Sequence, residues 1–362
     1  MRILYLGVLD AGSTSAHRAR ALERLGHVVE AVDMYDLLGF GRMGRISKAV
    51  HYRSGCILLQ RKARRAVERL IRKQDHFDIA WINSGEFLGP GAMRALRQLT
   101  NRICLYNNDD PTGRRDGNKW LSLRRALAGY DYSAVLRDVN VTEFLARGGR
   151  NIIRVWMSYD EVVHRPLEAG EQIPGYESKV AFIGTWMPER GPFMLELVRA
   201  GIPLSIWGDR WHKAPEWPQL RASWRGGAIY NRDYVKAVTG TKICLGLLSK
   251  GNRDLHTRRS VEVPYIGGLF CAERTPEHLA MYREGEEAVF WNDAKECAKI
   301  CRELLDDENR RETIRKAGMR RVRELRLGNE NVCQEILDFM AGMETTPRPW
   351  HPANEINASG AR

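Results

Sequence analysis

The stretch Asp254-Leu255-His256-Thr257-Arg258-Arg259-Ser260-Val261-Glu262-Val263-Pro264-Tyr265-Ile266-Gly267-Gly268 runs into the apolar segment Leu269-Phe270-Cys271-Ala272. Two carboxylates stand eight positions apart with basic residues between them, and the apolar segment reads as a short buried strand. Carboxylates accept hydrogen bonds from hydroxyls, and Arg or Lys pairs with phosphate oxygens. A nucleotide-activated sugar offers hydroxyls at both ends and a diphosphate between them, so one segment carries the residue types such a ligand needs. The competing reading is a row of solvated charges at a helix–turn–strand junction. Spacing alone does not separate the two.

Working outward, the first half alternates strand and helix signals. Apolar strands are expected at 3–8, 27–32, 77–82, 102–106, 134–137 and 152–155, with helical segments between them. A polar stretch with Gly and Pro, 168–177, reads as a linker. A second alternating series follows at 180–184, 204–207, 242–248, 268–271 and 288–291. This pattern predicts an α/β chain of two doubly wound Rossmann-like domains, 1–168 and 169–344, with a disordered tail over 345–362. A length of 362 residues suits two cores rather than one.

With 43% hydrophobic and 28% charged residues the chain reads as globular. No apolar run approaches the roughly 18 residues that a membrane helix needs. The opening Met1-Arg2-Ile3-Leu4-Tyr5-Leu6-Gly7 reads as a strand and not as a signal peptide, so a cytoplasmic location is expected. The seven Cys read as reduced core thiols, and Cys297 and Cys301, four apart on a helix, as a packing pair. The net charge is +12, and between Arg42 and Lys73 stand eleven Lys or Arg and one acid, Glu68. The apolar residues Leu59, Ala63, Ala66, Val67 and Leu70 recur there at helical spacing, opposite Arg61, Lys62, Arg64, Arg65, Arg69 and Arg72. An amphipathic helix against an anionic membrane is one reading; a helix packed on the first domain is the other. Nucleic acid is disfavoured, because only Tyr52 interleaves with the basic residues.

In open α/β sheets ligands sit beyond the carboxyl ends of the strands. Gly184, Arg190, Lys250 and Arg253 follow expected strands of the second domain, and Arg190 with Lys250 would hold a leaving diphosphate. In the first domain, Asp10, Gly12, Ser13 and His17 follow the first strand, and Asn107-Asn108-Asp109-Asp110-Pro111 the fourth. Gly12, Ser13, His17, Asp109 and Asp110 are candidate acceptor contacts, and Asp10, Asp109 or Asp110 a candidate base. No cofactor and no metal site is expected.

Taken together, Phe182-Ile183-Gly184-Thr185, Ile206-Trp207-Gly208, Arg259 to Gly268, Glu273-Arg274-Thr275 and Gly285 to Val289 resemble signatures of the two-domain GT-B glycosyltransferases, in particular their CgeB-like, spore-maturation-protein-like branch. Ile3 to Gly7, Leu25 to Val29 and Asn108 to Pro111 resemble it more loosely. The resemblance implies two Rossmann-like domains facing across a cleft, a nucleotide-sugar donor in the second and a glycan, lipid-linked or small-molecule acceptor in the first. Many retaining members carry Glu-x7-Glu, the first acid facing the sugar and the second the ribose. Here the pattern is Asp254-x7-Glu262, one methylene shorter at its first position. It implies a ribose role for Glu262 and a catalytic, sugar-facing role for Asp254, beside phosphate-binding Arg190 and Lys250. A nucleotide-sugar epimerase or hydrolase on the same fold, and a non-catalytic binding module, are the rival readings.

Overall fold

The computed structural model describes residues 1–10, 12–71, 76–168, 170–171 and 173–343, with the side chain of residue 71 left out. The expected tail, 345–362, and Arg72 and Lys73 of the basic stretch lie outside the described residues.

The first sheet contains β1 (Arg2–Gly7), β2 (Val28–Asp33), β3 (Ile79–Asn83), β4 (Ile103–Asn107), β5 (Tyr132–Val135) and β6 (Ile152–Arg154), in the order β2-β1-β3-β4-β5-β6 and parallel throughout. The second contains β7 (Ser178–Ile183), β8 (Leu204–Trp207), β9 (Trp224–Gly226), β10 (Thr241–Gly246), β11 (Phe270–Glu273) and β12 (Val289–Trp291), in the order β12-β11-β10-β7-β8-β9 and also parallel. β1, β3, β4 and β10 are almost wholly buried, as expected of strands covered by helices on both faces. β9 is the strand that the sequence did not signal: three residues, two of them exposed, on a sheet edge.

The chain divides into two units. Among the described residues, one holds 1–157, 250–254 and 329–340; the other holds 158–249, 255–328 and 341–343. The split thus falls at 157/158 rather than at 168. The helix Asn329–Met340 returns to the first unit, where Val332, Cys333, Ile336 and Met340 join the core beside Ile3, Tyr5, Leu22 and Trp81. A linear reading has no means to see that return, because the helix is amphipathic and would cover either sheet equally well.

The expected amphipathic helix forms over Gln60–Ile71. Its apolar residues Ala63, Ala66 and Val67 are buried in the core of the first unit with Leu38, Phe77 and Leu88. That apolar face is therefore covered by protein, and the membrane reading of this helix is corrected.

Candidate active site

Strand order reverses between β7 and β10 in the second sheet, which makes their carboxyl ends the expected ligand position. Gly184 follows β7 there, and Gly208, at φ +149, follows β8. A methyl on Gly208 would overlap the Gly184 carbonyl, and one on Gly184 would overlap the Arg259 guanidinium. The two glycines allow backbone and cation to close up at the strand ends. Gly208→Ala is expected to lower stability by at least ~1 kcal/mol through backbone strain alone, read as a drop in the melting midpoint; an unchanged midpoint would show that the β7–β8 corner yields freely.

Arg190 is engaged by backbone carbonyls. It is 3% exposed, donates through Nη1 to Thr185 O at 2.8 Å and through Nη2 to Leu248 O at 3.0 Å and Leu247 O at 3.3 Å, and lies 5.3 Å from the Phe182 ring. In this structure Arg190 is a brace that ties the end of β7 to the end of β10, beside its expected phosphate role. The cation presented at this corner is Arg259, which the sequence reading passed over. It opens the helix Arg259–Ile266, its Nε donates to Ile183 O, and its guanidinium lies 5.2 Å from the centre of the Phe182 ring. Among the described residues its terminal nitrogens hold no protein acceptor. The signal lay in the opening stretch itself, but only the fold decides which of Arg258 and Arg259 points to the strand end.

The same helix carries Glu262, and it is built to tolerate an internal proline. Pro264 cannot donate to the Ser260 carbonyl four residues back; the Tyr282 hydroxyl donates to it instead, at 2.7 Å. Gly267, at φ +103, ends the helix in the left-handed conformation. The Glu262 side chain is 6% exposed, and its Oε1 has no hydrogen-bond partner. Arg258 stands 3.6 Å away and His164 Nε2 3.8 Å. His164 Nδ1 accepts from the Asp160 backbone N–H at 2.9 Å, so the neutral ring carries its proton on Nε2, facing Glu262. Burial alone would raise the Glu262 carboxyl, but Arg258, His164 and Arg259 outweigh it and hold the carboxyl below its ordinary value. Burial in turn lowers His164, against the pull of Glu262. The result is a buried carboxylate, ionised near neutrality, with an acceptor oxygen open. Such orphaned acceptors are uncommon in folded proteins.

Lys250, Arg253 and Asp254 fall in the first unit with Lys250–Asn252 as a short 3-10 turn. Lys250 is exposed. Arg253 is committed: it bonds Asp110 through Nε and Nη2, both at 2.6 Å, and Glu143 through Nη1 and Nη2 at 3.0 and 2.9 Å. Asp254 is committed as well, taking Arg137 Nε at 2.9 Å and a second, shorter bond from Arg137 Nη2. Burial pushes its carboxyl up to about 6 despite that arginine. The two acids of the motif therefore lie in different units and different environments.

On the first sheet the order reverses between β1 and β3, and a hollow there is lined by Gly7, Val8, Asn83, Gly85 and Glu86. Of the candidate acceptor contacts near it, Ser13 spends its hydroxyl on the helix that follows, accepting from Ala16 N and donating to Val8 O. His17 is 4% exposed within that helix. Asp110 is also buried and saturated by Arg253, Asn140 and the Gly113 N–H; against burial, Arg253, Asn140 and Arg137 keep its carboxyl low. Ser13 and Asp110 are thus held by protein groups, and a low, bonded Asp110 carboxyl is a poor base. Gly12, at φ +87, Asp10 and Asp109 stay open to solvent, Asp109 with Lys119 at 3.9 Å.

All seven cysteines are free and buried. β11 brings Cys271 to Cys297 and Cys301, the three sulfurs lying within 4.8 Å of one another. All three sit at 0% exposure in the apolar core of the second unit.

The fold is that of the GT-B glycosyltransferases, and residues 190–338 match the family model described as "Glycosyl transferase-like". The chain is similar to HepE from Anabaena, solved with UDP and glucose: 14% identity over 95% of this chain and 100% of that one, TM-score 0.66. It is similar to sucrose-phosphate synthase from Thermosynechococcus elongatus, at 13% identity over 94% and 98% of the two chains, TM-score 0.69. A putative UDP-N-acetylglucosamine 2-epimerase from Listeria monocytogenes shares the fold at 11% identity over 96% and 98%, TM-score 0.57. No curated protein matches the sequence. No helix among the described residues is long and apolar enough to cross a membrane.

Proposed function

We propose that this chain is a metal-independent glycosyltransferase of the CgeB-like branch that takes its sugar from a nucleoside diphosphate. The observation that carries the reading is the open Oε1 of buried, ionised Glu262, within one helix of Arg259 at a strand-order reversal. A carboxylate there accepts both vicinal hydroxyls of a ribose, and Arg259 supplies the charge for the diphosphate where the resemblance had placed Arg190. HepE, solved with UDP and glucose, supports UDP as the first nucleotide to try.

In the reaction the bond between the anomeric carbon and the diphosphate oxygen breaks, and the nucleoside diphosphate leaves with the electron pair. The acceptor hydroxyl oxygen bonds to that carbon and gives up its proton. Arg259 would steady the charge growing on the diphosphate; Lys250 stays a candidate from the sequence. In a retaining course the proton passes to the leaving diphosphate; in an inverting one Asp109 or Asp10 takes it. The Asp254-x7-Glu262 spacing, as the resemblance reads it, favours the retaining course. Gly12 and Asp109 would meet the acceptor. A glycan, a small molecule or a lipid-linked saccharide fits this chemistry, and the basic stretch from Arg42 favours the lipid-linked class on the inner face of a membrane.

A panel of nucleotide sugars, followed by thermal shift and by product analysis with and without EDTA, tests the reading. One nucleotide sugar is expected to raise the melting midpoint and to yield nucleoside diphosphate with EDTA present. Release of an epimerised free sugar without acceptor would favour the epimerase instead. No shift with any nucleotide would remove the donor site.

A further inference from the structure

The helix Arg45–Arg53 has no buried residue. At helical spacing Ile46, Ala49, Val50 and Arg53 share one face, and all four are exposed, Ile46 by 83% and Val50 by 46%. Leu58, just beyond the helix, is 65% exposed. Ser47, Lys48 and His51, on the other face, are half-buried. Lys48 donates to Gly41 O at 2.9 Å, and the His51 ring lies 6.2 Å from that of Phe40. The helix is therefore held to the first unit by its polar side and offers its apolar side to solvent, the reverse of an ordinary surface helix. In the same basic stretch Arg42, Arg45, Arg53, Arg61, Lys62 and Arg65 are exposed, and the single acid of the stretch, Glu68, is paired with Arg64 at 2.7 Å.

We propose that this face docks on an anionic lipid bilayer, with Ile46, Val50 and Leu58 entering the boundary between headgroups and acyl chains and the surrounding arginines meeting lipid phosphates. Exposed aliphatic side chains on a strongly basic stretch match the layering of a bilayer surface, apolar below and anionic above. The assignment deepens the membrane placement proposed above and moves it from the helix Gln60–Ile71, whose apolar side is covered, to Arg45–Arg53.

Flotation with vesicles of phosphatidylcholine, alone or mixed with phosphatidylglycerol, tests it on the full chain. The mixed vesicles are expected to carry the protein, and more so at low salt. The double substitution Ile46→Ser with Val50→Ser removes only exposed side chains, so its melting midpoint should match the parent's while partitioning falls about tenfold or more. Equal recovery with both kinds of vesicle overturns the proposal, and so does a double variant that floats like the parent, since adsorption would then rest on charge alone. Thermal shift with UDP on the same samples separates this from the enzyme reading. Vesicle binding without a nucleotide effect defeats the donor site only; a nucleotide effect without vesicle binding defeats the docking surface only.

Discussion

Arg137→Ala is expected to lower stability by about 3–5 kcal/mol at pH near 8 and by clearly less near pH 5. Arg137 and Asp254 are 6% and 7% exposed as side chains, and Arg137 also donates to the backbone carbonyls of Asp109 and Asn108. Removing the cation strands a carboxylate in a place that solvates it poorly. The pH dependence follows from Asp254 itself. Its carboxyl is raised to about 6 in the folded chain against an ordinary value of 3.8. Between those values the folded state binds more protons than the unfolded one, so this group's contribution to stability falls as pH rises toward 6. Without Arg137 the folded value climbs further, and the penalty grows with pH until the carboxyl ionises. Near pH 5 Asp254 is mostly protonated with or without its partner, which leaves only the lost hydrogen bonds. Chemical unfolding at the two pH values reads the difference. A penalty that does not change with pH would mean that Asp254 stays ionised throughout, and Asp254→Asn should abolish the dependence.

Glu262→Gln is expected to weaken nucleoside diphosphate binding by about 1–3 kcal/mol, whether or not a sugar is attached. The open Oε1 can accept a ribose hydroxyl, whereas an amide in its place turns one acceptor into a donor. The substitution also removes the charge that His164 and Arg258 face, so fold and affinity need separate readouts. Asp254→Asn serves as the contrast, because Asp254 meets Arg137 and belongs to the other unit. It should leave the affinity for free nucleoside diphosphate near the parent's. Calorimetric titration of both variants decides the matter. Parental affinity in a folded Glu262→Gln chain would end the ribose assignment.

Much of the fold was legible because strands buried on both faces are continuous apolar runs. Ile3 to Leu6, Ile103 to Tyr106 and Ile243 to Leu245 announce themselves, and the residues after them mark where a ligand would sit. Glu262 was legible for the same reason: it follows one such run and precedes another, with Pro264 and Gly267 fixing a short helix between. The direction of a long cation was not. Arg190 and Arg259 both stand beside strand ends, and the sequence favoured Arg190. In the structure, carbonyls of Thr185, Leu247 and Leu248 claim the first, and the second is left at the corner beside Gly184.

The sequence by itself determined two parallel α/β sheets and the strand ends after them, since periodicity and local turn chemistry are properties of neighbours in the chain. Tertiary structure alone decided that Asp110 and Arg253 pair, that Asp254 is held by Arg137, and that the apolar face of Gln60–Ile71 is covered while that of Arg45–Arg53 is not. Residues 143 and 117 positions apart meet in these pairs. A charged side chain on a strand-end loop looks the same in sequence whether it faces a ligand or an opposite charge, and only the packing of distant segments supplies that opposite charge.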